Sequence, residues 1–322
     1  MFRPEYIVDK RVQWAMLSQN LNAVLILNQN VDKVFWSSLS KNPNAINMLE
    51  QNISKIDWDC LAMNPNAIHL LKKYDIFEKS YFAKTWLSYN TNPQVSVLLE
   101  QNQDKINWTF VSLNPYAIPL LEKNLEKVNW FNLSCNPNAI NILEQNLNKI
   151  NWSSFSSNPN AIPILEKNLD KVDWDCLSSN PNAISILEKN LDKIDWSEIS
   201  YNPNAISLLE QNLDKVNWFG LSLNPNATHI LEQNPDKINW NNLSKNPNAI
   251  NLLEQNLDKA DWRYLSANPN AIHLLAKLDT NQMRENCKEF AEDLLKYVLH
   301  PIRANRIALS FDMDLEEYLE LI

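Results

Sequence analysis

Tryptophan recurs at positions 14, 36, 58, 86, 108, 130, 152, 174, 196, 218, 240 and 262, every 22 residues except for the 28 that separate Trp58 from Trp86. A unit that short cannot bury a core alone and must stack on its copies, so the period decides the fold before any other feature does. Only one glycine is present, Gly220, against a usual share of about 7%, and tight β-hairpins are hard to build without glycine. The chain therefore reads as all-α. We expect an α-solenoid of twelve short two-helix repeats over residues 14–279, an N-terminal cap at 1–13 and a C-terminal helical cap at 280–322.

The repeat itself places both helices. In nine of the twelve units the residue before the tryptophan is Asp or Asn, as in Asp57, Asn107 and Asp195, a side chain that accepts a bond from an orphan N–H at a helix start. The tryptophan (Trp58, Trp108, Trp152, Trp196, Trp240), the residue three on (Leu61, Leu177, Leu243) and the serine four on share one helical face, expected to be core. The first, second and fifth positions after the tryptophan share the other. An Asn-Pro-Asn-Ala box follows. Pro119 and Pro163 forbid a single helix starting at its leading Asn, because they would fall at the fifth helical position. The second Asn (Asn44, Asn160, Asn204) is thus read as the N-cap of the second helix, with the leading Asn and Pro as connector. That helix runs through Ile-x-Leu-Leu-Glu and stops near Asn, as at Asn212. The columns of Asn are expected to pair along the connectors, since buried amides must be satisfied. At ~8 to 10 Å per helix layer, twelve units predict a rod or superhelix on the order of 100 Å long.

Two stretches depart from the repeat. Six extra residues around 72–82 bring Tyr74, Phe77 and Phe82, read either as packing on the array or as a partner contact. After Leu275, Met283, Cys287, Phe290, Leu294, Leu295 and Val298 follow a helical period up to Pro301. A further helix is expected near 302–309, and Asp314-Leu315-Glu316-Glu317 has the form of a capping box. This module is expected to seal the last repeat.

Composition narrows the class of protein. No apolar run approaches the roughly 18 residues of a membrane span, and Met1-Phe2-Arg3-Pro4-Glu5 lacks the apolar core of a signal peptide. Cys60, Cys135, Cys176 and Cys287 lie in different units without Cys-x-x-Cys spacing, which fits reduced thiols. The sequons Asn107-Trp108-Thr109 and Asn151-Trp152-Ser153 fall where the repeat needs its tryptophan. A soluble, unexported protein of the cytoplasm is expected. The net charge of -9 argues against non-specific phosphate binding.

No catalytic, cofactor or metal signature rises above the repeat. His229 and His273 share a register with His69 but stand two units apart, far beyond the ~2 Å ligand reach of zinc. Cys60 and Cys176 share a register five units apart, with no histidine placed as a base. Glutamates fourteen after the tryptophan (Glu100, Glu144, Glu188, Glu210) form an acidic column too uniform for acid–base chemistry. Lysines three before it (Lys105, Lys149, Lys193, Lys237) form a basic column. The variation lies at the first, second and fifth positions after the tryptophan, where Phe110, Phe131, Tyr201, Phe219 and Tyr264 stand among Ser, Asn and Asp. Aromatics in one exposed strip suggest a contact surface, and Tyr74 and Phe77 join them as candidates.

The repeat Trp-x-x-Leu-Ser-x-Asn-Pro-Asn-Ala-Ile-x-Leu-Leu-Glu-x-Asn-Leu-Asp-Lys-Ile, nearly intact at 174–194 and 240–257, resembles tandem repeats in proteins of large DNA viruses that infect amoebae and algae. The ending Leu299-His300-Pro301-Ile302-Arg303 is similar as well, so the resemblance covers essentially the whole chain. It implies a viral protein acting in the infected cell or the virion, and carries no activity or functional residues. More distantly, helix, Asn-Pro connector and helix are similar to leucine-rich variant repeats, from which the tryptophan and the 22-residue period depart. The expected function is that of a non-enzymatic scaffold or adaptor binding a protein partner. The alternative is a nucleic-acid-binding array using the lysine column.

Overall fold

The computed structural model describes residues 5–79, 82–285, 288 and 314, with the side chains of 83 and 84 excepted. Two compact units divide the chain, residues 9–275 and residues 1–8 together with 276–322. The larger contains all twelve repeats. In each regular unit a first helix opens at the tryptophan (Trp174–Ser179, Trp196–Ile199) and a second follows the box (Ile184–Leu187, Ile206–Glu210). The nine Asp or Asn residues before tryptophan all cap their helices through the side chain, as Asp195 does by accepting from the N–H groups of Ser197 and Glu198.

One residue per unit joins the units together. The leading Asn of the box is buried in all twelve, from Asn20 to Asn268. Its amide nitrogen donates twice to the preceding unit, as Asn180 does to the carbonyls of Ser156 and Asn158 at 2.9 Å each. Its Oδ1 accepts the N–H two residues on, here from Asn182 at 3.0 Å. That last bond makes the leading Asn the cap of the Pro-Asn-Ala turn, which is a 3-10 turn at Pro43–Ala45, Pro65–Ala67 and Pro269–Ala271. The second helix then starts one residue beyond Ala, without a side-chain cap. The expected capping role of Asn44, Asn160 and Asn204 is therefore corrected. Their side chains donate instead to the preceding unit, at Leu21, Pro137 and Pro181. The prolines fit because the turn and the helix are separate: Pro119 and Pro163 stand in the first turn of Ile118–Glu122 and Ile162–Leu165, where an N–H is unpaired in any case.

Serine supplies a second joint. Ten serines four after the tryptophan position donate to that residue's carbonyl and accept the N–H that opens the next unit. Ser178 Oγ thus lies 2.8 Å from the Trp174 oxygen and 3.0 Å from the Asp195 nitrogen. No buried side-chain polar atom among the described residues lacks a partner, the condition under which so many buried Asn and Ser are tolerated.

The expected rod is also corrected, because the array closes on itself. Asn20 of the first unit donates to the carbonyls of Ser266 and Asn268 of the twelfth at 3.1 and 2.8 Å, Asn22 donates to Pro269, and the Gln13 N–H donates to Ser266 Oγ at 3.0 Å. The Asn20 pair is the one that every internal joint uses, and the other two bonds recur at most of them. Residues 9–275 form a closed ring. Residues 9–13 are accordingly no cap: Arg11 and Val12 take the places that Lys193 and Ile194 hold in the connector before Trp196, and so complete the twelfth unit. The stacking face of that unit is filled by the first helix of the chain, Trp14–Leu17, so no terminal module is needed to seal it.

At most of the joints a first helix packs on the first helix of the next unit, as Trp174–Ser179 does on Trp196–Ile199, whereas successive second helices meet more sparingly. In a closed ring the more closely spaced layer is the inner one, which places the first helices on the inner wall. Between the layers lies the core, with Leu177, Ala183, Leu187, Ile199 and Leu209 at or near full burial. The tryptophans expected there, Trp58, Trp108, Trp152, Trp196 and Trp240, are half-buried at its edge.

The insertion is divided. Asn64 to Asn90 spans 26 residues and Asn90 to Asn114 spans 24, four and two more than the period, and Asn90 keeps its place in the ladder through the carbonyls of Ala62 and Asn64. Trp86 stands four residues before Asn90 instead of six and is exposed. Asp75 takes the left-handed conformation, φ 44°, which its short polar side chain tolerates.

In the smaller unit, β1 (Tyr6–Val8) pairs antiparallel with β2 (Ala276–Leu278), Val8 opposite Ala276. Asp279 caps a helix over 280–285, accepting the Gln282 N–H, and Met283 is half-buried in it. The expectations for Cys287, Phe290, Leu294, Leu295, Val298, the segment 302–309 and all of the box at 314–317 except Asp314 lie outside the described residues.

The ladder predicts a large penalty for one small change. Asn180→Ala removes the partner of the Ser156 carbonyl and of the Asn182 N–H in a buried joint, and one of the two bonds to the Asn158 carbonyl, which keeps the Ala161 N–H, at about 1–3 kcal/mol for each group left unsatisfied. Urea denaturation should show a loss of at least about 2 kcal/mol, and a loss under about 0.5 kcal/mol would contradict the assigned role.

Candidate interaction surface

Side chains differ between units at the positions around each tryptophan, and also at the second residue of the second helix, where Asn47, His69, Pro119, Ser207 and His229 stand. Those expected as a strip divide into three kinds. The position directly after the tryptophan is open, with Phe131 57% and Phe219 50% exposed. The position two after it wedges against the neighbouring unit: the Phe110 ring lies 5.6 Å from that of Tyr89, and Asn132 and Asn242 donate to the backbone carbonyls of Thr109 and Phe219. The fifth position is half-buried by the next unit. Tyr201 lies across Gly220, where an added Cβ would come within 2.9 Å of the ring, so the chain's one glycine is explained by the aromatic residue beside it. Tyr264 is half-buried between two cations, Lys245 at 4.0 Å and Arg263 at 4.3 Å from its centroid.

Tyr74 and Phe77 serve the array. The Tyr74 ring lies 5.3 Å from that of Trp58, and Lys105, whose register tryptophan would be the displaced Trp86, lies over Phe77 at 5.7 Å. Both rings are half-buried. Phe82 is open. A further open aromatic escaped the sequence reading: Phe35, 52% exposed, occupies a capping position before Trp36 and makes no side-chain cap. The Asn217 side chain at the equivalent position reaches Ser197, which sets Phe35 beside the same inner strip. Its signal was an apolar residue where nine units hold Asp or Asn.

The lysine column is committed. Lys33, Lys55, Lys127, Lys149, Lys171, Lys193, Lys215 and Lys259 each fold back over the tryptophan that opens their unit, 4.5 to 5.0 Å from the ring, and Arg11 covers Trp262 at 3.7 Å. Lys237 differs, its ammonium lying 3.8 Å from Asp236. The acidic column serves surface pairs between second helices, Glu50 with His69, Glu210 with His229 and Glu100 with Lys123, each exposed and individually weak. His69, His229 and His273 are exposed.

Cys60 and Cys176 are half-buried on the first helices. Burial and the neighbouring Asp57 push the Cys60 thiol up to about 11, and burial raises Cys176, whose sulfur lies 3.4 Å from Ser153 Oγ. Neither is a thiolate at neutral pH, the form nucleophilic chemistry requires. Among the described residues no group of three or more His, Cys, Asp or Glu is placed to hold a metal ion, and no helix is long and apolar enough to cross a membrane. Comparison with protein-family models, curated proteins and solved structures finds no match.

Two substitutions test these assignments. Gly220→Ala should destabilise the protein while Tyr201 is present, and should stabilise it by up to about 1 kcal/mol in a Tyr201→Ser background, where only the helix preference of alanine remains. A double-mutant cycle without that change of sign would refute the packing account. Lys193→Gln should cost about 0.5–1 kcal/mol and Lys237→Gln less than half of that, read from thermal melts at equal ionic strength.

Proposed function

We propose that the protein is a non-enzymatic scaffold that binds a protein partner on the inner wall of its ring. The observation that carries this reading is where variation is allowed. The Asn, Ser, Trp, Lys, Leu and Ala columns are used up in holding the ring together, whereas the position after the tryptophan changes from Ala15 through Ser37, Asp59, Thr109, Phe131, Asp175 and Phe219 to Arg263 and is open in most units, Ala15 and Asp59 being half-buried. A surface that keeps a fixed frame and varies single side chains is suited to reading one partner at several points, and exposed rings are the residues that most often dominate such contacts. Phe131 and Phe219, with Phe35 beside them, are the anchors of this reading. Phe110, Tyr201 and Tyr264 contribute mainly by shaping the wall, and Tyr74 and Phe77 by holding the insertion. The resemblance to repeats of large DNA viruses supports a setting in the cytoplasm of an infected cell or in the virion.

The alternative, backbone contacts to nucleic acid through the lysines, has to compete with the tryptophan rings over which most of those ammonium groups lie. Affinity capture from host cells, with and without nuclease, separates the readings. Phe131→Ala combined with Phe219→Ala should weaken capture about tenfold or more, as expected for loss of a hot spot near 2 kcal/mol, while Lys149→Gln with Lys193→Gln changes it less. If the lysine variant binds worse, capture is nuclease-sensitive, and affinity falls linearly with log salt at a slope of several phosphates, the ring is a nucleic-acid binder.

A further inference from the structure

Eleven of the twelve joints in the ring are backed by the peptide chain running from one unit into the next. The joint between the twelfth and first units is not. There the bonds are Asn20 to Ser266 and Asn268, Asn22 to Pro269, Gln13 to Ser266 and the Asp9 N–H to the Leu275 carbonyl at 2.9 Å. Their lengths match those of internal joints. The local supports differ. Gln13 makes no side-chain cap to the first helix, whereas nine other first helices are capped, and Leu21 replaces the proline that fixes the turn in every other unit except that of Thr91.

One contact is stronger here than anywhere else in its column. Arg11 replaces lysine, and its guanidinium lies 3.7 Å from the Trp262 centroid, closer than any lysine in that column. Asp9 holds it in place through two side-chain bonds, Nε at 3.0 Å and a terminal nitrogen at 2.8 Å, and accepts the Arg11 N–H as well. A planar guanidinium stacks on an aromatic face and pairs with a carboxylate in ways an ammonium does not.

We infer that the ring opens and recloses at this joint, and that the Asp9–Arg11–Trp262 contact is the latch that sets how often it does. Any other joint can part only by stretching a connector, while this one needs the loss of one set of stacking bonds, the latch and the three-residue β1·β2 ladder that brackets the ring in sequence. Opening frees the first unit's face and the twelfth unit's face together. It gives a segment with blocked ends a way into the inner wall that a permanently closed ring denies.

Cysteine trapping on the full chain tests this. Ser266 and Ser178 hold the same register and are both fully buried, but only Ser266 lies at the unbacked joint. With Ser266→Cys and Ser178→Cys prepared separately and alkylated under native conditions, labelling at 266 should be at least about tenfold faster, as expected where local opening falls below global unfolding in free energy. Adding Arg11→Ala should speed labelling at 266 by a further two- to fivefold or so, the loss of one cation–π contact, and leave 178 unchanged, while Arg11→Lys restores most of the protection. Fraying of residues 9–13 alone leaves Trp14–Leu17 packed on the twelfth unit and keeps 266 protected. If the cysteine variants do not fold, hydrogen exchange in the wild-type chain gives the same comparison between the Gln13 and Asp195 amides, both bonded to the serine of the preceding unit. Rates within twofold at the two sites, or an Arg11→Ala effect spread equally over all joints, would overturn the inference.

Discussion

Everything in the ring depends on one buried primary amide per unit. An asparagine side chain has two N–H donors and an acceptor, and in each box three of these bonds are made, two backwards to the preceding unit and one forwards to its own turn. The forward bond sets the turn that proline begins, so the same side chain fixes both the spacing between units and the direction in which the second helix leaves. Leucine in that place would bury well and take the amide's two bonds away from the carbonyls of the preceding unit. A second asparagine column reaches to the neighbouring turn, and a third ends the second helix by donating to a carbonyl four residues earlier, as Asn212 does to Leu208. The abundance of asparagine, which would suggest loops in a globular chain, is here the joinery of a helical one.

Because these bonds lie along the first helices and their turns, they draw one layer closer together than the other, and that difference bends the stack. Helices of four to seven residues are too short to hold shape alone. The curvature is a sum over joints that differ little from one another, and its total is a full circle. The residues left over for recognition are few, and they stand on the side that curvature turns inward.

The period, the helical class, the capping residues before tryptophan and the burial of the Asn column were legible in the sequence because each follows from local spacing. The closure was not. Arg11 and Val12 matched the repeat's connector in register, but a register match says nothing of which neighbour a segment joins, and that depends on a small angle per unit that no single residue encodes. The tryptophan was read as core from its helical face, yet an indole at the helix start overhangs the core edge and is half covered by a lysine stem and ammonium. Pro119 and Pro163 exclude a continuous helix, but they do not require a cap at the second Asn, since a 3-10 turn and a separate α-helix satisfy the same constraint. Of the surface, the strip was legible as a column of variation. The interlocking of its second and fifth positions with neighbouring units, and the outlying Phe35, became visible only with the units stacked.

The bond between Gln13 and Ser266 joins residues 253 apart in sequence, whereas the equivalent bonds at internal joints join residues 17 apart. Contacts of short separation form fast and those of long separation form late, so units can accumulate in order behind the ribosome, each docking on the one just made. The segment at 9–13 has no such neighbour when it emerges. At about 5–20 residues per second of synthesis, it waits on the order of ten seconds or more for the unit it will complete. Throughout that interval the nascent arc offers an unfilled stacking face at its start, and whatever occupies that face first, a chaperone, another nascent chain or the protein's own last repeat, decides whether the product is a ring.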